Sequence, residues 1–211
     1  MSYDALSDAV IKGDINGAME ETRKALEAGV NVQDILDQGL IATMDVVGDR
    51  FSKGLTFVPQ MLRSAKTMQQ CVEILKPHFQ EGGVSTKGTV VLGTVKGDLH
   101  DIGKNLVAMM LEGAGFTILD LGVDVSPETF VQEVKKENAE IMGMSALLST
   151  TMPAMSLTIK ALVDAGVRDK VRVMIGGAPV TGKYAQEIGA DSYASDAGSA
   201  VIEAKKILNI D

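Results

Sequence analysis

The sequence is poor in cysteine, histidine and aromatic residues, and its 211 residues contain no long apolar run. The one cysteine, Cys71, excludes an internal disulfide bond and any zinc or iron–sulfur site built from several cysteines. No segment approaches the roughly 20 apolar residues of a membrane-spanning helix. Residues 1–14 carry an acidic residue every few positions, unlike the apolar core of a signal peptide. We therefore expect a cytoplasmic protein.

Positive charge is also scarce, because 20 Lys and Arg stand against 28 Asp and Glu. The formal net charge of −8 and the pI near 4.8 oppose binding to a phosphate backbone or to an anionic membrane surface. We expect neither nucleic acid nor membrane as a partner. Hydrophobic residues make up 45% of the chain, enough to bury one or two cores.

The chain divides at residues 77–88, where Pro, paired Gly and Ser interrupt the apolar pattern. Before this segment the sequence predicts only helices, because apolar residues recur at steps of three and four. Two such stripes are Ile35, Leu40, Met44 and Val47, and Met61, Ala65, Met68, Val72 and Leu75. His78, at the boundary, is expected to be an exposed linker residue.

After the break, strand-like runs alternate with helix-like runs. The predicted strands span residues 89–95, 117–121, 141–145, 171–175 and 192–194. Ser126 followed by Pro127 and Glu128 is typical of the start of a helix, with a capping hydroxyl, a first-turn proline and an acid. The alternation predicts right-handed βαβ units and a flavodoxin-like (Rossmann-like) α/β fold with a five-stranded parallel sheet.

The most informative stretch is Asp-Leu-His-Asp-Ile-Gly at residues 98–103, directly after the first predicted strand. His100 is expected on the loop before a helix over residues 104–111, at the sheet edge where open α/β folds bind ligands. A neutral imidazole is a good transition-metal ligand, and Asp98 can accept the other ring N–H and fix the tautomer. A lone histidine in such a loop is more often a solvated or capping residue, so this motif alone leaves both interpretations open.

Two nucleotide-binding motifs fail in the same region. Residues 97–104 look like a Walker A loop, but five residues separate the glycines instead of four, and Asn105 follows the lysine. Gly113 and Gly115 are followed by Ile118 where a dinucleotide fingerprint needs its third glycine. Nicotinamide chemistry is therefore not expected.

The Asp-x-His-x-x-Gly pattern and three downstream motifs, in the same order, resemble the corrinoid proteins of methyltransferase systems and the cobalamin-binding module of methionine synthase. The downstream motifs are residues 145–148, 173–177 and 193–196, and residues 44–60 resemble the helical cap that covers the cofactor. The resemblance extends over nearly the whole chain. It implies a four-helix-bundle cap over residues 1–83, a linker over 84–88 and a cobalamin-binding α/β domain over 89–211.

The same resemblance implies a ligand triad. His100 coordinates cobalt from below in place of the cofactor's own base, and Asp98 and Thr151 hold the histidine. Methionine synthase has serine at the position of Thr151, so the hydroxyl is kept. From the residues alone, Thr151 and Ser145 are equally well explained as caps of a helix near residues 152–153.

The resemblance also implies that Gly176 and Gly177 line a slot for the cofactor's nucleotide tail and that Ser145 meets the buried base; by itself the glycine pair indicates a tight turn. Further predicted cofactor contacts are Gly97, Leu99, Asp101, Ile102, Gly103, Leu147, Leu148, Ala178, Tyr193, Ala194 and Asp196. Asp101 is equally well explained as a cap of the helix at Ile102. The predicted cap contacts, each of which bundle packing would also explain, are Met44, Phe51, Val58, Met61 and Leu62.

The function that the resemblance implies is a methyl carrier, which shuttles a methyl group on cobalt between a substrate methyltransferase and an acceptor methyltransferase. Donor and acceptor sites are expected on these partners, a reductive activase is a further expected partner, and Gly82 and Gly83 form a candidate hinge. The alternative is a cobalamin-dependent sensor or regulator. A mutase subunit is a weaker third candidate. The methyl donor stays open among methanol, methylamines, methoxylated aromatics and betaines.

Overall fold

The computed structural model describes residues 2–78 and 86–210. The chain divides into two compact units. The first runs to Thr86 and includes Glu112–Gly115, and the second contains Lys87–Leu111 and continues from Phe116. The candidate hinge at Gly82 and Gly83 lies outside the described residues.

The first unit is helical throughout its described part. Its elements are α1 (Asp4–Lys12), α2 (Ile15–Glu27), α3 (Val32–Asp34), a π-helical segment (Ile35–Ile41), α4 (Ala42–Ser52), α5 (Val58–Leu75) and a 3₁₀ turn (Lys76–His78). Residues 32–52 form one continuous helical stretch, so the described part of the unit contains four long helices, as the four-helix-bundle prediction requires.

The two predicted apolar stripes form the core of this helical unit. Ile35 and Leu40 are fully buried, and Met61 and Met68 are nearly so, because these positions recur on one face of their helices. The π-helical segment carries no sequence signal that we recognised. His78 ends the 3₁₀ turn and is half-buried, not exposed as predicted.

The second unit is an α/β sandwich. Its strands are β1 (Thr89–Thr94), β2 (Thr117–Asp120), β3 (Ile141–Ser145), β4 (Arg172–Gly176) and β5 (Ser192–Ala194). Its helices are α6 (Ile102–Gly113), α7 (Pro127–Glu137), α8 (Pro153–Asp164), α9 (Gly182–Ile188) and α10 (Ala197–Ile207). The sheet is parallel throughout, with strand order β2-β1-β3-β4-β5, which confirms the predicted fold class.

The three central strands, β1, β3 and β4, form where the sequence is apolar on both faces, as expected for a parallel sheet covered by helices. Val90, Val91, Ile141 and Met142 are fully buried in neighbouring strands. The start of α7 is as predicted, because the Ser126 hydroxyl accepts a hydrogen bond from a backbone N–H of the first turn. Four predicted elements differ slightly: α6 begins two residues before the predicted position and ends two residues after it, β1 and β2 each end one residue early, and β4 is displaced by one residue.

The register brings the carboxyl ends of four strands into one row. Thr94 pairs with Ser145, Ser145 pairs with Gly176, and Gly176 pairs with Ala194. The strand order reverses between β1 and β3, and the connections from these two strands leave in opposite directions. Such a switch point opens a crevice beyond the strand ends, where doubly wound folds bind ligands.

Residues 2–78 and 86–210 contain no helix with the length and hydropathy of a bilayer-spanning segment.

Candidate functional site

The loop that carries His100 folds back over the end of β1. Thr94, the last residue of the strand, is fully buried and donates its hydroxyl to the His100 carbonyl at 2.9 Å. The Val95 N–H donates to Ser145 on the neighbouring strand at 3.0 Å, and the Asp98 N–H closes a turn onto Val95 at 3.1 Å. The histidine therefore lies on a short, internally bonded loop at the switch point.

Asp98 is the centre of the site. Its side chain is fully buried, and one carboxylate oxygen accepts hydrogen bonds from the His100 N–H at 3.1 Å and from the His100 ring Nδ1 at 2.7 Å. The other oxygen accepts from the N–H groups of Leu147 and Leu148, at 2.8 Å and 3.3 Å. The Thr151 hydroxyl donates to the same oxygen at 2.7 Å. One buried carboxylate thus joins the β1–α6 loop to the β3–α8 loop.

These hydrogen bonds keep Asp98 ionised. Burial by itself raises the pKa of a carboxyl group, but the bonds from Thr151, His100 and the Leu147 backbone outweigh it and hold the pKa of Asp98 well below its ordinary value of 3.8. An ionised carboxylate accepts hydrogen bonds only, so the proton of the neutral imidazole lies on Nδ1. The lone pair of the ring is then on Nε2.

The structure leaves Nε2 of His100 available to a ligand. The His100 side chain is 49% exposed, and Nε2 makes no hydrogen bond to any residue that the structure describes. Within these residues no group of three or more His, Cys, Asp or Glu side chains could hold a metal ion. A single imidazole with a fixed tautomer fits a metal whose other ligands come from a macrocycle.

Exposed apolar side chains surround the histidine loop. Leu99 is 71% exposed and Ile102 is 83% exposed, and both flank His100 in sequence. Leu147 and Leu148, whose backbones are bonded to Asp98, are exposed by 43% and 44%. Gly103, at the start of α6, has open space where a side chain would lie. Apolar side chains exposed together are typical of a ligand surface, and they suit a large flat apolar ring.

Gly177 allows two backbones to approach each other. Its φ is +124°, and a Cβ built on it would lie 1.9 Å from the Ala146 carbonyl oxygen. At Gly176 the corresponding distance, to the Ala194 carbonyl oxygen, is 3.0 Å. The β3 and β4 connections therefore meet through the glycine backbone itself. This close approach accounts for Gly177 on structural grounds, and the role of the pair in lining a slot stays a prediction.

Thr151 does not cap a helix, and Asp101 contacts the first turn of α6 through Asn105. The Thr151 hydroxyl bonds to Asp98 and to the Leu148 carbonyl, and α8 has no side-chain cap. The Asp101 carboxylate accepts from the Asn105 side chain at 3.1 Å.

The other predicted residues of the α/β unit lie at the same sheet edge. Ser145 and Tyr193 are half-buried, Ala194 is buried and Ala178 is exposed. Asp196 caps α10 by accepting from the Ser199 N–H at 2.8 Å, in addition to any part in ligand binding.

The five predicted cap residues differ in exposure. Met44 and Met61 are 2% and 1% exposed, which the bundle-core interpretation explains. Phe51 and Leu62 are half-buried. Val58 is 40% exposed and is the most accessible of the five.

Lys104, the lysine of the rejected Walker A comparison, is buried in the first turn of α6. It is 2% exposed, and its ammonium pairs with Asp120 at the end of β2 and bonds to Asn105 at 2.7 Å. Asn105 in turn bonds to Asp101, next to the histidine. The first turn of α6 is thus tied to the neighbouring strand. A buried lysine needs such partners, but the sequence did not show which acid supplies the charge.

The Asp98 contacts predict how stability depends on pH. Asp98→Asn should lower the free energy of unfolding of the apo protein at pH 7 by about 2–3 kcal/mol, because a buried ionic acceptor is lost. A depressed pKa stabilises the fold above the ordinary value and loses that contribution as pH falls through the folded value. The deficit of the variant should therefore shrink below about pH 4, measured by urea unfolding at several pH values.

Asp8→Asn is the matched control, because Asp8 is exposed on α1 and, among the residues that the structure describes, bonds only to Lys12. It should change the free energy of unfolding by less than about 0.5 kcal/mol. A deficit for Asp98→Asn that stays constant from pH 7 to pH 3 would show that the charge of Asp98 does not stabilise the loop.

Both units of the chain are similar to known proteins. Residues 88–203 match the B12 binding domain family, and residues 3–76 match a second family of the same description. A trimethylamine corrinoid protein of Methanosarcina mazei is 42% identical over 195 residues, which cover 92% of this chain and 89% of that protein. A dimethylamine corrinoid protein of Methanosarcina acetivorans is 43% identical over 204 residues, covering 96% and 95%.

Two solved structures are also similar. The methanol:cobalamin methyltransferase complex MtaBC from Methanosarcina barkeri contains a chain that matches with a TM-score of 0.87 and 32% identity, over 97% of this chain and 78% of that one. A cobalamin-binding protein from Desulfitobacterium hafniense matches with a TM-score of 0.81 and 32% identity, over 98% of both chains. None of these descriptions favours the sensor alternative.

Proposed function

This chain belongs to the family of corrinoid proteins with a B12 binding domain, and from that premise we propose that it carries a methyl group between two methyltransferases on a cobalamin held by His100. The observation that supports the proposal most directly is the 2.7 Å bond between Asp98 and Nδ1 of a half-exposed His100. This bond fixes the tautomer that can bind cobalt through Nε2.

Different residues of the site would bind different parts of the cofactor. His100 would hold the cobalt, and Leu99, Ile102, Leu147 and Leu148 offer apolar surface to the corrin ring. Ser145, Gly176 and Gly177 would contact the nucleotide tail between the β3 and β4 connections. Phe51, Val58 and Leu62 of the helical unit would add apolar contacts to the cofactor, as the family resemblance implies.

When bound, the cofactor supplies a cobalt ion that accepts and releases a methyl group. The triad would present Nε2 of His100 to the metal in a fixed tautomer. The buried Asp98 carboxylate accepts the Nδ1–H of the ring and so fixes the orientation of His100. Thr151 and the two leucine N–H groups keep that carboxylate ionised and in place.

The methyl donor and acceptor would be bound by separate methyltransferases. The relatives described above are named for trimethylamine and dimethylamine, and one similar structure is a methanol:cobalamin methyltransferase complex. Small methylated amines or alcohols are therefore the donor class that we propose. Selection among them would lie in the partner enzyme, because the residues proposed here would contact the cofactor and not the methyl donor.

The function is tested by methyl transfer to the loaded protein. The full chain is loaded with hydroxocobalamin, reduced with titanium(III) citrate and mixed with trimethylamine, dimethylamine or methanol and the matching methyltransferase. With at least one combination of methyl donor and methyltransferase, we expect the absorption spectrum of protein-bound methylcobalamin. When the methyltransferase is omitted, no methylcobalamin should form. The proposal is contradicted if the chain does not retain cobalamin through gel filtration. It is also contradicted if no combination of donor and methyltransferase methylates the bound cobalamin.

A further inference from the structure

The segment that follows β2 lies against the histidine loop. The Thr94 N–H donates to Gly122 at 2.9 Å, and the Val125 N–H donates back to Thr94 at 3.0 Å. Val95 and Val125 form a parallel bridge beyond the ends of their strands. The β2–α7 connection therefore extends the sheet alongside the start of the histidine loop.

Asp124 makes three contacts to three consecutive residues of that loop. Its carboxylate accepts a hydrogen bond from the Gly97 N–H at 2.8 Å and pairs with the Lys96 ammonium at 3.0 Å. Its own N–H donates to the Asp98 carbonyl at 3.0 Å. One residue thus fixes the backbone immediately before the Asp98 carboxylate, from outside the loop.

The backbone at this point is unusual. Asp124 has φ of +55°, in the left-handed region that few residues other than glycine adopt, and Gly97 has φ of +85°. A non-glycine residue in this conformation costs on the order of 1 kcal/mol and persists where its surroundings hold it. Aspartate enters this conformation more readily than most side chains, and here the hydrogen bond from Gly97, 27 residues away in the chain, holds it in place.

The three contacts of Asp124 differ in how strongly they hold the histidine loop. The Lys96 pair is exposed on both sides, by 57% and 42%, and such a pair contributes about 0–1 kcal/mol. The bond from Gly97 is charge-assisted and acts on the backbone next to Asp98, so it has the larger effect on loop geometry. The Gly97 N–H and Lys96 together lower the pKa of Asp124, which agrees with an ionised acceptor.

We propose that Asp124 is a positioning residue for the cobalt ligand, which holds residues 96–98 so that the Asp98 carboxylate meets the His100 ring. The inference rests on the proposed function, since it assigns Asp124 a part in cofactor ligation. Thr94 holds the other end of the loop through the His100 carbonyl. The histidine loop is therefore held at both ends. Removal of the Asp124 side chain should loosen the end formed by residues 96–98.

The test compares four variants of the full chain. Asp124→Gly keeps the backbone conformation and removes the carboxylate, whereas Asp124→Asn keeps an oxygen that can accept from Gly97. Lys96→Gln removes only the ion pair. Asn138→Gly is the matched control, because Asn138 has φ of +49° at the end of α7 and caps that helix away from the histidine loop.

The first measurement is the nitrogen superhyperfine splitting in the EPR spectrum of the Co(II)-cobalamin form, which reports the fraction of protein with histidine on cobalt. Asp124→Gly should weaken histidine ligation about tenfold, the lower end of the range for outer-shell partners of a ligand. Asp124→Asn should restore most of it. Lys96→Gln and Asn138→Gly should resemble the wild type.

The second measurement needs no cofactor. In the apo protein, the Gly97 amide proton should shift upfield and exchange faster in Asp124→Gly but not in Asn138→Gly, followed by ¹H–¹⁵N NMR. Absence of histidine splitting in the loaded wild type contradicts the proposed function, and the apo spectra then test the loop contact separately. Histidine splitting that is equal in wild type and Asp124→Gly, or equally reduced in Asn138→Gly, overturns the inference.

Discussion

His100→Ala should abolish the nitrogen superhyperfine splitting of the Co(II)-cobalamin protein and leave the fold intact. The splitting arises when a ligand nitrogen shares the unpaired electron of cobalt, and His100 is the residue that offers Nε2 at the sheet edge. The half-exposed ring makes one side-chain hydrogen bond, to Asp98, so its loss should cost only about 0.5–1.5 kcal/mol of stability. The measurement is EPR of the reduced, loaded protein, with circular dichroism to verify folding.

His78→Ala is the matched control, because His78 is the other histidine and lies at the end of the helical unit. It should leave the EPR spectrum unchanged. Uniform ¹⁵N labelling of the wild-type protein should alter the splitting pattern, which identifies the nitrogen as the protein's own. A wild-type splitting that persists in His100→Ala would assign the cobalt ligand to another group and remove the basis of the proposed triad.

Gly177→Ala should lower the free energy of unfolding of the α/β unit by about 2–6 kcal/mol. The left-handed φ of +124° costs a side chain on the order of 1–3 kcal/mol, and overpacking adds about the same. The added Cβ would lie 1.9 Å from the Ala146 carbonyl oxygen, and a backbone atom cannot move aside as a flexible side chain can. The β3 and β4 connections must therefore separate, which urea unfolding of the apo protein should detect.

Gly166→Ala isolates the steric part of this effect. Gly166 also has a positive φ, +68°, but open space surrounds the position of a Cβ. Its substitution should cost about 1 kcal/mol, from backbone conformation alone. Equal losses for the two variants would show that the contact with Ala146 does not constrain the loop.

Local patterns in the sequence were sufficient for most of the architecture. Buried parallel strands are apolar on both faces, so the runs that contain Val90, Ile141 and Val173 were recognisable without neighbours. The cap at Ser126 and Pro127 needs only adjacent residues and was predicted for the same reason. The boundary shifts at α6 and β4 are small because apolar runs mark the middle of an element better than its ends.

For Thr151, the resemblance to a family predicted a role that the spacing of residues could not. Its hydroxyl was explained equally well as a helix cap until the structure placed it 2.7 Å from Asp98, which lies 53 residues earlier in the chain. The pairing depends on β1 and β3 being neighbours, which no local pattern specifies. No motif or resemblance pointed to Asp124, because an aspartate in a turn is common. Only the fold places it beside Gly97.

By itself, the sequence determined the α/β class, the helical first unit and the candidate ligand His100 with Asp98 two residues away, because each depends on residues close together in the chain. The tertiary structure decided which groups surround the Asp98 carboxylate, and why Gly177 must be glycine. The N–H groups of Leu147 and Leu148 are the clearest case. Every residue except proline carries such a donor, so only the folding of one loop onto another selects these two.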